Sequence, residues 1–167
     1  MNANFKPTYI FKKVEDIPLD FFEKENIKGI FLDVDNTILD RTRIIKPEVD
    51  NWIKQLKKKG VVICILSNAV SIEKVRNIMR KYDICGLANA GKPRLKGYKM
   101  ALNLVNLPKD QVVMIGDQIF TDVWGANKFG IKSIYVYPIN KNEWIGSRVK
   151  RPFERMVLKR LYKGEEK

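Results

Sequence analysis

The sequence predicts an α/β fold in which helices cover both faces of a parallel sheet, giving three α/β/α layers. Apolar runs of strand length at 30–32, 61–66 and 112–115 lead to this prediction, and amphipathic segments of helix length lie between them. Buried parallel strands are apolar on both faces, and right-handed helical crossovers join them. We therefore expect one domain over residues 1–167, with residues 1–27 and the basic residues 148–167 as extensions packed on it.

The first half of the chain carries alternating helix and strand signals. Ile17–Glu23 predicts a short helix with Pro18 in its first turn, and Lys28–Asp33 predicts the first core strand. Pro47–Lys59 is predicted as a helix, because its apolar side chains recur on one face and a glycine follows. The second core strand is predicted at Val61–Leu66.

The second half continues the alternation. Ser71 is expected to cap a helix that reaches Tyr82, with Ile72 on its inward face. The remaining predicted elements are a short element at Leu87–Asn89, a helix at Leu95–Asn106, a strand at Val112–Ile115, a helix at Thr121–Phe129 and a strand at Ile131–Val136. No repeat or low-complexity linker interrupts this series.

Composition narrows the possible chemistry. The chain has no histidine, which excludes Ser-His-Asp and Cys-His catalysis and His-ligated zinc. No apolar run approaches the roughly 18 residues of a membrane-spanning helix. Cys64 and Cys85 lack C-x-x-C spacing and are expected to be buried thiols in the reducing cytoplasm. The net charge of +13 indicates an anionic partner, namely a phosphorylated substrate, a nucleic acid or an acidic membrane surface.

Polar residues close the predicted strands. Asp33 and Asp35 follow the first strand, and in an extended segment their side chains would point the same way. Their like charges would be offset by a divalent cation such as Mg²⁺, which prefers oxygen ligands. The later elements also lead into polar side chains, namely Ser67, Asn68, Lys92, Asp117 and Asp122. Because carboxyl ends of parallel strands share one edge of a sheet, these side chains can converge there.

The order of these motifs resembles the haloacid dehalogenase (HAD) superfamily of phosphatases. The matching motifs are D-V-D-N-T, L-S-N, K-P and G-D-x-x-x-x-D, and they fall within residues 28–136. The resemblance implies a Rossmann-like sheet on which Asp33 is the nucleophile that forms an aspartyl-phosphate. It also implies that Asp35 is the general acid and then the general base. A carboxylate is a competent nucleophile toward phosphorus, and an acid–base residue must serve both half-reactions.

The same resemblance implies a set of metal and phosphate ligands. Mg²⁺ would be held by the carboxylates of Asp33 and Asp117 and the carbonyl of Asp35, with Asp122 acting through water. The phosphoryl oxygens would be held by Ser67, the Asn68 amide and Lys92. Fixed positive charges stabilise the negative charge on these oxygens in the transition state. Three arginines are further candidates for contacts to an anionic substrate, namely Arg41, Arg43 and Arg94.

A closer resemblance is to the YqeG family of capless HAD phosphatases, which is related to mitochondrial phosphatidylglycerophosphate phosphatases. It rests on G-D-Q-I-F-T-D-V-W-G-A-N, on Tyr137-Pro138-Ile139, on G-K-P-R and on Y-I-F-K-K near the start. The resemblance implies that the substrate is phosphatidylglycerophosphate and the product phosphatidylglycerol. One crossover helix fills much of the segment between Asp35 and Ser67, so there is no room for a large cap domain and the site should be open.

The C-terminal segment suggests where such a substrate would lie. Residues 148–163 contain seven basic residues and one acidic residue, and apolar side chains recur there at helical spacing. A basic amphipathic helix suits an anionic membrane surface, although the same pattern fits a terminal helix packed on the core. Two other functions remain open, namely a phosphatase that acts on nucleic-acid ends and a non-catalytic RNA-binding or ribosome-associated protein.

Overall fold

The computed structural model describes residues 5–40, 42–69 and 71–140, together with Pro152, Met156, Val157 and Lys159. Its strands are β1 (Tyr9–Phe11), β2 (Gly29–Leu32), β3 (Val62–Leu66), β4 (Cys85–Leu87), β5 (Val112–Gly116) and β6 (Lys132–Val136). They form one sheet in the order β1-β6-β5-β2-β3-β4, and every neighbouring pair is parallel.

Within the described ranges that end at residue 140, five α-helices accompany the strands. They are α1 (Phe21–Lys24), α2 (Pro47–Lys58), α3 (Ile72–Tyr82), α4 (Leu95–Val105) and α5 (Trp124–Phe129). Short 3₁₀ turns lie at Val14–Asp16 and Lys109–Gln111, and a π-helical turn at Ile119–Val123 runs directly into α5. Within the described ranges, no helix has both the length and the apolar character that crossing a bilayer requires.

Helices cover both faces of the sheet, which confirms the predicted three-layer fold. Successive residues of a strand point to opposite faces. In β2, Ile30 and Leu32 pack in a cluster that includes Ile53 of α2 and buried side chains of α3. Phe31 faces the other way and packs in a second cluster with Tyr98 of α4 and residues of α5. The central strand is therefore buried on both sides.

The connections around the central strands are short. The described chain forms a loop and α2 between β2 and β3, and it forms α3 between β3 and β4. Within these described segments neither connection contains a second folded unit above the carboxyl ends of the strands. This agrees with the expectation of a fold without a large cap domain.

The N-terminal segment differs from the prediction. Tyr9–Phe11 forms the edge strand β1, where no strand was predicted, and Tyr9 lies opposite Ile134 of β6. The predicted helix at Ile17–Glu23 begins only at Phe21. Pro18 stands in the turn before it, where its carbonyl accepts a hydrogen bond from the N–H of Phe21 at 3.0 Å.

Three further details differ. Ile72, the first residue of α3, is 52% exposed instead of facing inward, and burial begins one turn later at Val75. The short element expected at Leu87–Asn89 is the strand β4, which ends where it was expected to begin. The helix expected from Thr121 starts as the π-helical turn. The cap at Ser71 is as predicted, since its side chain accepts the N–H of Lys74 at 3.3 Å.

Candidate active site

Three neighbouring strands deliver polar side chains to one edge of the sheet. Asp33 follows β2, Ser67 follows β3 and Asp117 follows β5, and β2 lies between the other two. The ladder continues one residue beyond β2, because the N–H of Asp33 donates to the carbonyl of Ile115 at 2.9 Å. The predicted convergence at the carboxyl edge is therefore present for these residues.

A lysine bridges two of the buried carboxylates. Lys92 Nζ lies 2.7 Å from Asp33 Oδ1 and 2.7 Å from Asp122 Oδ1. The first contact is a hydrogen bond, whereas the second is at ion-pair distance without hydrogen-bond directionality. Each of these three residues is at most 5% exposed. A buried charge is costly unless it has a partner of opposite charge. Here the Lys92 ammonium group is the partner of the two carboxylates.

The third carboxylate of the cluster is Asp117, which is fully buried. Carboxylate oxygens of Asp33, Asp117 and Asp122 all lie within 4.8 Å of one another. The hydroxyl of Thr37 is 3.3 Å from Asp33 Oδ2 and 3.3 Å from Asp117 Oδ1, so it can donate its single proton to either. Thr37 thus ties the strand end of β2 to that of β5.

Lys92 owes its position to the loop after β4. The side chain of Asn68 forms two hydrogen bonds with the backbone of Lys92, donating to its carbonyl at 2.9 Å and accepting from its N–H at 2.8 Å. The carbonyl of Ser67 accepts the N–H of Ala90 at 2.9 Å. These bonds fix the Lys92 backbone against the end of β3, and the peptide bond to Pro93 is cis.

Asp122 is positioned by the π-helical turn after β5. Its Oδ2 accepts the N–H of Gln118 at 3.1 Å, and the Tyr98 hydroxyl is 3.1 Å from the carbonyls of both Thr121 and Asp122. A Cβ atom at Gly116 would overlap the carboxylate of Asp122. Only glycine therefore allows this close approach of the strand end to the carboxylate.

Asp35 is more exposed than the carboxylates of the buried cluster. Its side chain is 50% exposed, and its Oδ1 is 2.5 Å from Nζ of Lys74 in the first turn of α3. The two carboxylates therefore differ in exposure, although the charge of Asp35 still contributes to the raised pKa of Asp33. Asp35 can nevertheless exchange protons with solvent or a leaving group, since it is accessible.

Burial dominates the electrostatics of the cluster. Desolvation raises the pKa of Asp33 to about 6, although the neighbouring Lys92 acts in the opposite direction. Burial alone would lower the pKa of Lys92, but the carboxylates of Asp122 and Asp33 outweigh it and raise that pKa above its ordinary value. Lys92 is therefore protonated at neutral pH. Its charge helps to keep Asp33 ionised, which a carboxylate nucleophile requires.

The remaining predicted residues differ in their placement. Ser67 is buried at the end of β3, and its hydroxyl accepts the N–H of Ala69 at 3.0 Å. Arg43 and Arg94 are exposed, and Arg94 occupies the N-cap position of α4 without a capping hydrogen bond from its side chain. Arg41 lies outside the described residues. No contact shown for the described part of the chain joins either exposed arginine to the buried carboxylates.

Sequence reasoning missed two side chains that contact the predicted acidic residues. Thr37 belongs to the D-V-D-N-T motif, so its place in that motif was an available signal. Lys74 carried no such signal, because a lysine in the first turn of an amphipathic helix is usually solvated. Its contact with Asp35 arises from the packing of α3 beside the loop after β2.

The buried cluster fits a divalent cation. Asp33, Asp117 and Asp122 carry three negative charges and Lys92 one positive charge, which leaves these four side chains with a net charge of −2. The donors are all oxygen atoms, as Mg²⁺ prefers. A small hard dication would neutralise this excess, so the residues suit Mg²⁺ better than a soft metal.

Comparisons with known proteins agree with this arrangement. A family model described as mitochondrial PGP phosphatase matches residues 2–85, and one described as HAD-hydrolase-like matches residues 89–142. A protein named "Probable phosphatase YqeG" from Bacillus subtilis (strain 168) is 31% identical over 158 residues, which covers 94% of this chain and 91% of the relative. The chain belongs to the YqeG-type HAD phosphatases.

More distant relatives of this YqeG-type phosphatase share its fold or part of its length. A glyceraldehyde 3-phosphate phosphatase from Pyrococcus furiosus is 27% identical over 97 residues, 53% of this chain and 40% of that protein. An uncharacterized protein from Listeria monocytogenes serotype 4b superposes with a TM-score of 0.56 at 18% identity, over 80% of this chain and 99% of that one. A haloacid dehalogenase-like hydrolase from Brucella suis gives 0.53 at 14% identity, over 75% and 88%.

Proposed function

We propose that this HAD-type phosphatase is an Mg²⁺-dependent phosphomonoesterase that works through an aspartyl-phosphate on Asp33 and that its substrate is phosphatidylglycerophosphate. The observation that carries the proposal is the buried Asp33 carboxylate, held by Lys92 within a cluster of three carboxylates at the carboxyl edge of the sheet. The match of residues 2–85 to the mitochondrial PGP phosphatase family supports the choice of substrate.

The first half-reaction uses Asp33 and Asp35. A carboxylate oxygen of Asp33 attacks phosphorus, the bond from phosphorus to the leaving oxygen breaks, and the Asp35 carboxylic acid gives its proton to that oxygen. The half-exposed position of Asp35 suits this transfer. Lys92, at 2.7 Å from Asp33, would lie beside the negative oxygens of the phosphoryl group.

The second half-reaction returns the enzyme to its starting state. Asp35, now a carboxylate, takes a proton from water, the water oxygen attacks phosphorus, and the bond to Asp33 breaks to release phosphate. Mg²⁺ held by Asp33, Asp117 and Asp122, with the Asp35 carbonyl, would neutralise charge on the phosphoryl oxygens. Each proton and bond in the two halves is then accounted for by this chain's own residues, the substrate and water.

The decisive measurement is phosphate release from phosphatidylglycerophosphate in mixed micelles beside a 5′-phosphorylated oligonucleotide, with and without Mg²⁺. We expect Mg²⁺-dependent release from the lipid and loss of activity in Asp33→Asn, because an amide cannot attack phosphorus. Asp110→Asn, an exposed residue in a 3₁₀ turn, is the matched control and should retain activity. Faster release from the oligonucleotide would favour the nucleic-acid alternative, and RNA binding without turnover of either would favour the non-catalytic one.

Membrane contact by the basic C-terminal segment is part of the same proposal. Most of residues 148–167 lie outside the described residues, although Val157 packs against the apolar cluster of Ile119, Val123 and Tyr135. Packing of one apolar side chain is compatible with a basic face directed at an anionic surface. The proposal places the enzyme at the cytoplasmic face of a membrane, and vesicle binding tests it.

The vesicle experiment compares two triple variants, each of which removes three positive charges. Replacing Lys159, Arg160 and Lys163 by glutamine should lower binding to phosphatidylglycerol vesicles by an order of magnitude or more, since each basic residue contributes up to ~1 kcal/mol near such a surface. Replacing Lys58, Lys96 and Lys99 by glutamine is the matched control. Equal binding of the two variants would show that the tail is not the membrane contact.

A further inference from the structure

A groove of about 450 Å³ lies between the loop after β2 and the outer side of α3. The loop contributes Leu39 and Ile45, and the helix contributes Ile78, so that the apolar floor is formed by side chains that are buried or partly buried. The groove is open to solvent along its rim. It is distinct from the buried carboxylate cluster, because none of the three carboxylates lines it.

One residue connects the groove to the reaction. Lys74 lines the groove, and its Nζ is the atom that contacts Asp35 Oδ1. Asp35 is the residue proposed to protonate the leaving oxygen. The groove therefore begins within one side-chain length of the leaving-group side of the site, and the rest of the substrate beyond that oxygen would extend along it.

The rim of the groove is mainly cationic. Arg43, Lys74 and Lys81 line it, against the single acidic residue Glu73. Lys74 is paired with Asp35, and Lys81 is paired with Asp50 at 2.7 Å. Arg43 is exposed and forms no ion pair with any residue of the described ranges, so its guanidinium is available to a ligand.

The conformation of Arg43 is itself unusual. Its φ is +60°, in the left-handed region that residues with a side chain rarely adopt. Its N–H donates to the carbonyl of Asp40 at 3.2 Å, which holds this turn beside the groove. The loop thus presents a guanidinium, a group suited to two parallel hydrogen bonds with a phosphate, above an apolar floor.

We infer that this groove is a subsite for the leaving group and that it binds a second phosphate, present as a phosphodiester, on the alcohol that the reaction releases. The inference rests on the proposed function and deepens it. Arg43 would contact the diester, and Leu39 and Ile45 would contact the carbon chain next to it. A substrate that carries both phosphates would then be selected over a simple phosphomonoester.

The test compares two soluble substrates with the same reacting phosphate. One is glycerol 3-phosphate, and the other is glycerophosphoglycerophosphate, whose leaving group carries the diester. We expect the wild type to have a higher kcat/KM on the second. Arg43→Ala should lower the ratio of the two kcat/KM values about tenfold, because a charge-assisted contact is lost.

A second variant tests the groove without altering Arg43. Asn77 is exposed on α3 and lines the groove, so Asn77→Glu adds a negative charge there, and we expect the ratio to fall at least ~3-fold. Asn103→Glu makes the same change on the exposed side of α4, outside the groove, and should leave the ratio at the wild-type value. Both sites are helix surface positions, so both variants should fold.

The possible results separate the subsite from the phosphatase activity. If the wild type hydrolyses both substrates with equal kcat/KM, or if Asn77→Glu and Asn103→Glu give the same ratio, the subsite is overturned and the phosphatase proposal stands. If neither substrate is hydrolysed, the proposed function fails in this assay. Calorimetric binding of glycerophosphoglycerol, which has the diester alone, then decides: weaker binding by Asn77→Glu than by Asn103→Glu supports the subsite, and equal or absent binding overturns it.

Discussion

Lys92 Nζ lies 2.7 Å from both Asp33 Oδ1 and Asp122 Oδ1, so one buried ammonium group holds two strand-end carboxylates together. Lys92→Met removes that positive charge and leaves the two buried carboxylates without their ammonium partner. Breaking a buried ion pair in this way typically costs ~3–5 kcal/mol of unfolding free energy. We expect a lower unfolding midpoint in EDTA, and partial recovery in Mg²⁺, because a cation bound only by the folded state stabilises it.

The control for this prediction is Lys96→Met, an exposed position on α4. Its unfolding midpoint should stay near that of the wild type with and without Mg²⁺. Thermal unfolding followed by circular dichroism measures both variants. An equal midpoint for Lys92→Met and the wild type in EDTA would contradict the structural role of the ammonium group.

Lys74 is predicted to be a positioning residue for Asp35, which it contacts through its ammonium group. For an alkyl phosphate that carries no second anionic group, Lys74→Ala should lower kcat about tenfold. This loss is part of the rate acceleration that a general acid usually contributes. The substitution should affect p-nitrophenyl phosphate less, because that leaving group needs no proton. Arg76→Ala, exposed on the same helix, is the control. Equal losses on both substrates would exclude an effect through proton transfer.

Gly116→Ala is predicted to disrupt the site through packing. The added methyl group would overlap the carboxylate of Asp122, which is buried and cannot move aside without losing the N–H of Gln118. Overpacking of this kind typically costs ~1–3 kcal/mol. Urea unfolding should show that loss together with reduced phosphatase activity, whereas Asn103→Ala on exposed α4 should show neither.

Acid stability should depend on Asp50, which joins α2 to α3. Its carboxylate contacts Lys54 at 2.6 Å, Lys81 at 2.7 Å and the Tyr82 hydroxyl at 2.8 Å, and these partners, Lys54 foremost, hold its pKa well below the ordinary value. A lowered folded-state pKa contributes stability above the unfolded pKa of about 4, and that contribution is lost as the pH falls below it.

Asp50→Asn is the variant that tests this contribution. It should be less stable than the wild type at pH 7, and the difference should narrow between about pH 4 and pH 2. Urea unfolding midpoints across that range provide the measurement. A difference that stays constant with pH would show that the carboxylate charge is not responsible.

The sequence predicts the central strands well because burial on both faces leaves a clear signal. In β2, β3 and β5, uninterrupted apolar runs end in polar residues, and the structure places all three strands at the centre of the sheet. The edge strand β1 has only three residues, Tyr9–Phe11, each partly exposed, so it lacks such a run. Its identity depends on pairing with β6, which no local pattern reveals.

In the candidate site, too, some features could be predicted from the sequence and others could not. Asp33, Asp117 and Asp122 could be placed from sequence because strand ends and a fixed motif spacing bring them to one edge. The partner of Asp35 could not be predicted from sequence, because its contact with Lys74 depends on how α3 packs beside the turn after β2. Local periodicity specifies which face of a helix is buried, but not which exposed lysine meets a neighbouring loop.

The pairing of β1 with β6 also constrains the order in which the chain can be assembled during translation. The pairing joins residues that are far apart in sequence, such as Tyr9 and Ile134. Just before β1, the N–H of Thr8 donates to the hydroxyl of Ser133, a residue 125 positions away. A ribosome therefore releases β1 long before its partner exists. The rings of Tyr9 and Phe11 contact the ring of Phe21, with centroid distances of 5.0 and 5.5 Å. These contacts are local in sequence and can form as soon as the first helix has been synthesised. That aromatic cluster would cover the side chains of β1 until β6, its hydrogen-bonding partner near the end of the domain, has been synthesised.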